Sequence, residues 1–146
     1  MKKTTLILLA TIISVFAVSA KNIYSRNVSD LPATAQNTLS QNFKSKVSVI
    51  KISKSMTGVT EYEVILTDGT EISFDRQGNW KDIEVAKNKQ VPNSVVPKRI
   101  LDYIKTNNKN KKIIGIEKTR KNYEVELENG VDIIFDRAGH FIRYDR

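Results

Sequence analysis

The pattern of apolar and polar positions is clearest in two stretches. From Tyr62 to Trp80 the chain reads YEVILTDGTEISFDRQGNW, and Tyr62, Val64 and Leu66 share one strand face while Glu63 points the other way. From Tyr123 to Phe141 it reads YEVELENGVDIIFDRAGHF, with Tyr123, Val125 and Leu127 opposed by Glu124, Glu126 and Glu128. Each stretch predicts strand, turn, strand, turn, strand. The first turn is Asp68-Gly69 or Asn129-Gly130, pairs that tolerate positive φ at both central positions of a tight hairpin. The second is Asp75-Arg76-Gln77-Gly78 or Asp136-Arg137-Ala138-Gly139, suited to a type I turn closed by glycine. Ile72 and Phe74, or Val131, Ile133 and Phe135, return to the apolar face.

The two stretches lie 61 residues apart and are identical at 10 of 19 aligned positions. A recurrence at fixed offset is the signature of one supersecondary unit written twice. Upstream of each runs a short helical stripe. Ala35, Leu39 and Phe43 follow Leu31-Pro32, predicting a helix over about Ala33 to Lys44. Val96, Ile100 and Ile104 follow Val91-Pro92, with Pro97 limiting the helix upstream. Val47 to Ser53 and Ile113 to Ile116 read as the strands that follow, and Lys21 to Asp30 as a loose lead-in or an added edge strand. Each unit is then α-β-β-β-β. The expected fold is α+β: two tandem units joined into one antiparallel sheet, both helices on one side. Ile65, Ile134, Ile142 and Tyr144 are expected on the opposite face, making it only partly polar. The expected division is residues 1–20, a leader; 21–30, the lead-in; 31–90 and 91–146, the two units of one domain.

The doubled pattern, Leu-Pro or Val-Pro, a short helix, then Tyr-Glu-Val-x-Leu-x-(Asp/Asn)-Gly-x-x-Ile-x-Phe-Asp-x-x-Gly-x-(Trp/Phe), resembles the PepSY-like, β-lactamase-inhibitor-protein-like exported proteins of Gram-negative bacteria. The resemblance covers nearly all of Leu31 to Tyr144. It implies a two-layer sandwich of tandem helix-plus-sheet motifs, a periplasmic location and no settled activity. Fold alone does not transfer function. No inhibitor contact residue is matched by a motif here.

Composition narrows the remaining classes. Lys2 and Lys3 precede an apolar run from Leu6 to Val18, and Val18-Ser19-Ala20 supplies small residues for cleavage, so residues 1–20 read as a signal peptide. The run is shorter than the roughly 20 residues a membrane span needs. With no cysteine, there is neither a lipid-modified site nor thiol or disulfide chemistry. Losing the leader lowers the formal charge from +8 to +6. For an exported chain that excess favours solubility or anionic envelope surfaces over nucleic acid as a partner.

Candidate chemistry is sparse. His140 is the sole histidine and follows a turn, so it reads as solvent-facing. No Gly-x-Ser-x-Gly or Gly-rich phosphate loop occurs, and neither catalytic residues, cofactor nor metal site is expected. Glu124, Glu126 and Glu128 lie about 7 Å apart along one strand face, too far to share a cation unaided. They read as a solvated row with cross-strand Lys or Arg partners. Asp75 and Asp136 are expected to bond their own turns. Arg76 and Arg137 at the turn crests, and Lys109, Lys111 and Lys112 in a basic loop, are either solvated or contacts for an anionic partner. The expected function is a non-enzymatic exported module that binds an envelope protein or peptide. The alternatives are a peptidase modulator or inhibitor, and a scaffold attracted to anionic polymer or lipid.

Overall fold

The computed structural model describes residues 21–145. The expected signal peptide lies outside them. The strands are β1 (Lys21–Ser25), β2 (Val47–Ser55), β3 (Gly58–Leu66), β4 (Glu71–Asp75), β5 (Trp80–Glu84), β6 (Ile113–Lys118), β7 (Asn122–Leu127), β8 (Asp132–Asp136) and β9 (Phe141–Asp145). Helix α1 (Ala33–Asn42) lies between β1 and β2, and α2 (Lys98–Asn107) between β5 and β6. The fold is α+β, one antiparallel sheet of nine strands in the order of the chain. The lead-in adds the edge strand β1, whose Ile23 pairs with Ile52 of β2. The halves meet where Ile83 of β5 pairs with Ile116 of β6.

One hydrophobic cluster holds the molecule together. Ala35 and Leu39 of α1, and Ile100 and Ile104 of α2, are buried with the sheet residues the alternation assigned to one face, among them Val64, Phe74, Val125 and Phe135. Phe74 and Phe135 are fully inaccessible. Both helices begin after prolines, Pro32 and Pro97, whose missing N–H has no intrahelical partner to lose.

The hairpin turns depart from the expected geometry. Gly69 and Gly130 have φ of 89° and 78°, but Asp68 and Asn129 stay at negative φ. Gly69 N–H donates to Leu66 O at 3.0 Å and Leu66 N–H to Thr70 O at 2.8 Å, and Gly130 and Leu127 bond likewise. This is a type I turn closed by a glycine bulge, which needs one left-handed residue rather than two. The second turns follow the same scheme, with Gly78 and Gly139 at φ of 86° and 83°.

Asp75 and Asp136 bond their own turns as expected. Asp75 Oδ1 accepts from the backbone N–H of Gln77 and Asn79, both at 2.9 Å. Asp136 Oδ1 accepts from Ala138 at 2.9 Å and His140 at 2.8 Å. Asp75→Ala should lower stability by about 1 kcal/mol, since two turn amides lose a charged acceptor but regain water. Thermal unfolding checks it, and an unchanged midpoint would show that the turn holds without the carboxylate.

A bulge after each of these turns overturns one expectation. Phe74 pairs with Trp80 but Ser73 with Asp82, leaving Lys81 as the extra residue. Phe135 pairs with Phe141 but Ile134 with Arg143, leaving Ile142 extra. The bulge breaks the period of two, so Tyr144 opposite Ile133 lies on the core side and not on the outer face. There Phe141 stacks on Tyr103 at 4.9 Å and 6°, and contacts Tyr144 at 5.2 Å.

Candidate functional site on the outer face of the sheet

The face turned away from the core carries many charged side chains. Cross-strand register assembles two rows on it. One runs Lys51, Glu63, Ser73, Asp82, Glu117, Glu124, Ile134, Arg143 from β2 to β9. The other runs Ile65, Glu71, Glu84, Gly115, Glu126, Asp132, Asp145 from β3 to β9. Carboxylates therefore face carboxylates at Glu71 and Glu84, at Asp82, Glu117 and Glu124, and at Glu126, Asp132 and Asp145. Facing like charges destabilise a sheet.

This corrects the reading of the glutamates on β7. Glu124 and Glu126 were expected to meet Lys or Arg across the strands, and they meet Glu117 and Asp132. Glu126 and Asp132 are buried rather than solvated. Glu128 is exposed and accepts from the Lys112 backbone at 3.3 Å. Among the described residues, Lys51 of β2 pairs with Glu63 at 3.1 Å, Lys81 of β5 pairs with Glu61 at 2.8 Å and also acts on Glu117, and Arg143 ends the first row opposite Ile134. Ile65 is 37% exposed, as expected for an apolar residue here, but Ile134 is buried.

The electrostatics follow from the register. Burial, with the Glu117 and Glu84 carboxylates beside it, pushes Asp82 up to about 7. Burial raises Glu71, reinforced by Glu84 and Glu63, and raises Glu117, reinforced by Glu124. Asp82 Oδ1 is buried without a hydrogen-bond partner among the described residues. Glu61, Glu63, Ile65, Glu71, Asp82 and Glu117 line a trough of about 490 Å³. Among the described residues no three carboxylates or histidines are grouped closely enough to hold a metal ion.

The candidate basic residues fall elsewhere and are not brought together. Lys109, Lys111 and Lys112 are exposed in the loop between α2 and β6, the last two beside a shallow cleft of about 300 Å³. Arg76 and Arg137 sit on turns packed against the N-terminal ends of α1 and α2. Both are exposed, and the Arg137 guanidinium lies 5.0 Å over the Tyr123 ring. His140 is exposed, with Nδ1 3.0 Å from Asp136 Oδ2 and Nε2 against Arg99. Sequence reasoning missed Asp82, Glu71, Glu84 and Glu117. Their one signal was the spacing of two between Asp82 and Glu84, which repeats that of Glu124, Glu126 and Glu128.

Residues 60–143 match a protein-family model described as "Putative beta-lactamase-inhibitor-like, PepSY-like". The chain belongs to the PepSY-like family. This PepSY-like protein also resembles solved structures. One from Bacteroides vulgatus, described as a "putative periplasmic protein of unknown function", is 38% identical with a TM-score of 0.80, covering 86% of this chain and all of its own. A second "putative periplasmic protein" from the same organism is 35% identical with a TM-score of 0.77, over 90% of this chain and all of its own. A third, from Bacteroides thetaiotaomicron, described as a "putative calcium-regulated periplasmic protein", is 34% identical with a TM-score of 0.77, over 87% of this chain and 97% of its own. Curated proteins give no significant match. None of these descriptions of the family or its structures names a catalytic activity. Among the described residues of the PepSY-like protein, no helix is long and apolar enough to cross a membrane.

Proposed function

We propose that this PepSY-like chain is an exported, non-enzymatic binding module whose outer sheet face receives a cationic segment of an envelope protein or peptide. The observation that carries the reading is the facing rows of carboxylates. Such pairs cost stability, and a Lys- or Arg-bearing strand laid across them would recover that cost through charge-assisted hydrogen bonds. The periplasmic descriptions of its structural neighbours support export. We further infer that the halves are copies of one unit in a two-layer arrangement like the β-lactamase inhibitor. Supporting this, Tyr62 pairs with Phe74 and Val64 with Ile72, as Tyr123 does with Phe135 and Val125 with Ile133. One neighbour's description mentions calcium. With no closed ligand set among the described residues, we take calcium here as a competitor that screens the rows.

The test is fluorescence polarisation of a labelled Lys/Arg-rich peptide. Binding should be saturable at about 50 mM NaCl and fall steeply by about 300 mM as exposed charges are screened. The double variant Asp82→Asn/Glu117→Gln should weaken it at least about tenfold, roughly 1.4 kcal/mol. Equal binding of an acidic peptide, or unchanged affinity of the variant, overturns the reading. A second reading is favoured by the three exposed lysines, Lys109, Lys111 and Lys112, at one end of the sheet. These would hold the module on anionic envelope polymer, and their replacement by alanine would abolish salt-sensitive retention on such a polymer.

A further inference from the structure

On the core side, where β5 meets β6, two cations converge on two aromatic rings. Lys118 Nζ lies 4.5 Å from the centroid of the Trp80 ring. The Arg137 guanidinium lies 5.0 Å over Tyr123, and the two rings are 6.4 Å apart. Arg137 is pinned there by donating Nη1–H to Thr119 O at 2.7 Å. Lys118 faces Tyr123 across the β6–β7 pair, so all four groups share one side of the sheet.

Neither cation forms an ion pair among the described residues. Their contacts are π faces and a carbonyl, which orient a positive charge without neutralising it. Asp75 is the carboxylate that acts on Lys118, and its oxygens are already taken by the amides of Gln77 and Asn79. Burial first, and the Arg137 charge second, lower the Lys118 pKa against the weaker opposing effect of Asp75, the direction expected of a half-buried ammonium beside another cation. The Arg137 fork keeps further N–H donors beyond the one given to Thr119, and a lysine ammonium has three.

We propose that Trp80, Lys118, Tyr123 and Arg137 form a binding site for an oxyanion, a carboxylate or phosphate group held between the ammonium and the guanidinium. The placement is particular to the second half of the chain. Asn122, opening β7, follows a short turn in which Thr119 lies within reach of Arg137. In the first half the β2–β3 hairpin runs on to Gly58, and although Arg76 and Arg137 are both exposed at their turns, among the described residues only Arg137 lies over a ring. This site is independent of the acidic outer face, and either proposal can fail without the other.

The experiment uses the protein's sole tryptophan, Trp80, as its own reporter. Inorganic phosphate and glutarate are titrated separately into the chain, each against NaCl of equal ionic strength, while tryptophan emission is followed. An anion that draws the Lys118 ammonium off the indole should give a saturable change beyond that of NaCl. Lys118→Met and Arg137→Gln should each raise the half-saturation concentration at least tenfold, and Lys87→Ala in the exposed linker should not. The better of the two anions identifies the group as phosphate or carboxylate. Circular dichroism confirms that each variant is folded, and Arg137→Lys, which keeps the charge but loses the fork, provides a milder second test with an intermediate loss. No saturable change with either anion, or a half-saturation in both charge-removing variants equal to that of the unaltered chain, overturns the assignment.

Discussion

Replacing Gly78 with alanine should cost this protein about 3 kcal/mol or more, whereas the same change at Gly130 should cost only about 1 kcal/mol. Both glycines sit at positive φ, 86° and 78°, so both substitutions carry the strain of a left-handed L-residue. They differ in what lies above them. A Cβ at Gly78 would stand 2.8 Å from Pro32 Cβ and 2.9 Å from the Ala35 backbone nitrogen, while one at Gly130 meets nothing within 4 Å. The turn after β4 is thus the seat on which α1 begins, and the backbone of that helix has no flexible end to yield. Gly139, whose Cβ would lie 3.1 Å from Arg99 Cβ, should fall between the two. Chemical denaturation of the three variants checks the order. Equal losses at Gly78 and Gly130 would mean that α1 moves aside freely.

Asp82→Asn should make the protein more stable at pH 8, by about 2 kcal/mol or roughly 5 to 10 °C in unfolding midpoint. The sign follows from the direction of the shift. Asp82 is held at about 7 in the folded chain, above the ordinary carboxylate value of 3.8, so folding favours its protonated form. That contribution is fully present below about pH 4 and is lost as pH rises through 7. Glu71 and Glu117 are raised as well and act in the same sense. Asp68 and Asp136 act oppositely. The Thr70 N–H lowers the first and the His140 N–H the second, so what they contribute is lost as pH falls below the usual carboxylate range. The wild-type midpoint should therefore peak near pH 5 and decline toward pH 8, and Asp82→Asn should flatten the decline. Thermal unfolding from pH 4 to 8 measures this directly. A midpoint that rises steadily to pH 8, or a variant as pH-sensitive as the wild type, would show that the facing carboxylates carry little strain.

The two effects differ in how much of their cause was legible beforehand. Gly78 closes an Asp-x-x-Gly turn that local chemistry predicts, but no pattern announces that Pro32 and Ala35 press on it. The carboxylates of β7 alternate visibly, and Asp82 and Glu84 show the same period. What alternation lacks is the partner strand, and so Lys or Arg was expected where Glu117 and Asp132 stand. Lys118 and Trp80 were likewise separate features until β5 and β6 lay side by side.

By itself, the sequence determined the α+β class, the helix stripes, the core residues at every second strand position, and turns that bond through Asp75 and Asp136. These depend on residues a few positions apart, where backbone geometry leaves little choice. Only the tertiary structure decided the sign of charge facing each outer carboxylate, the transfer of Tyr144 to the core side, and the meeting of Arg137 with Lys118. Each depends on register, and one extra residue in a bulge is enough to reverse a face.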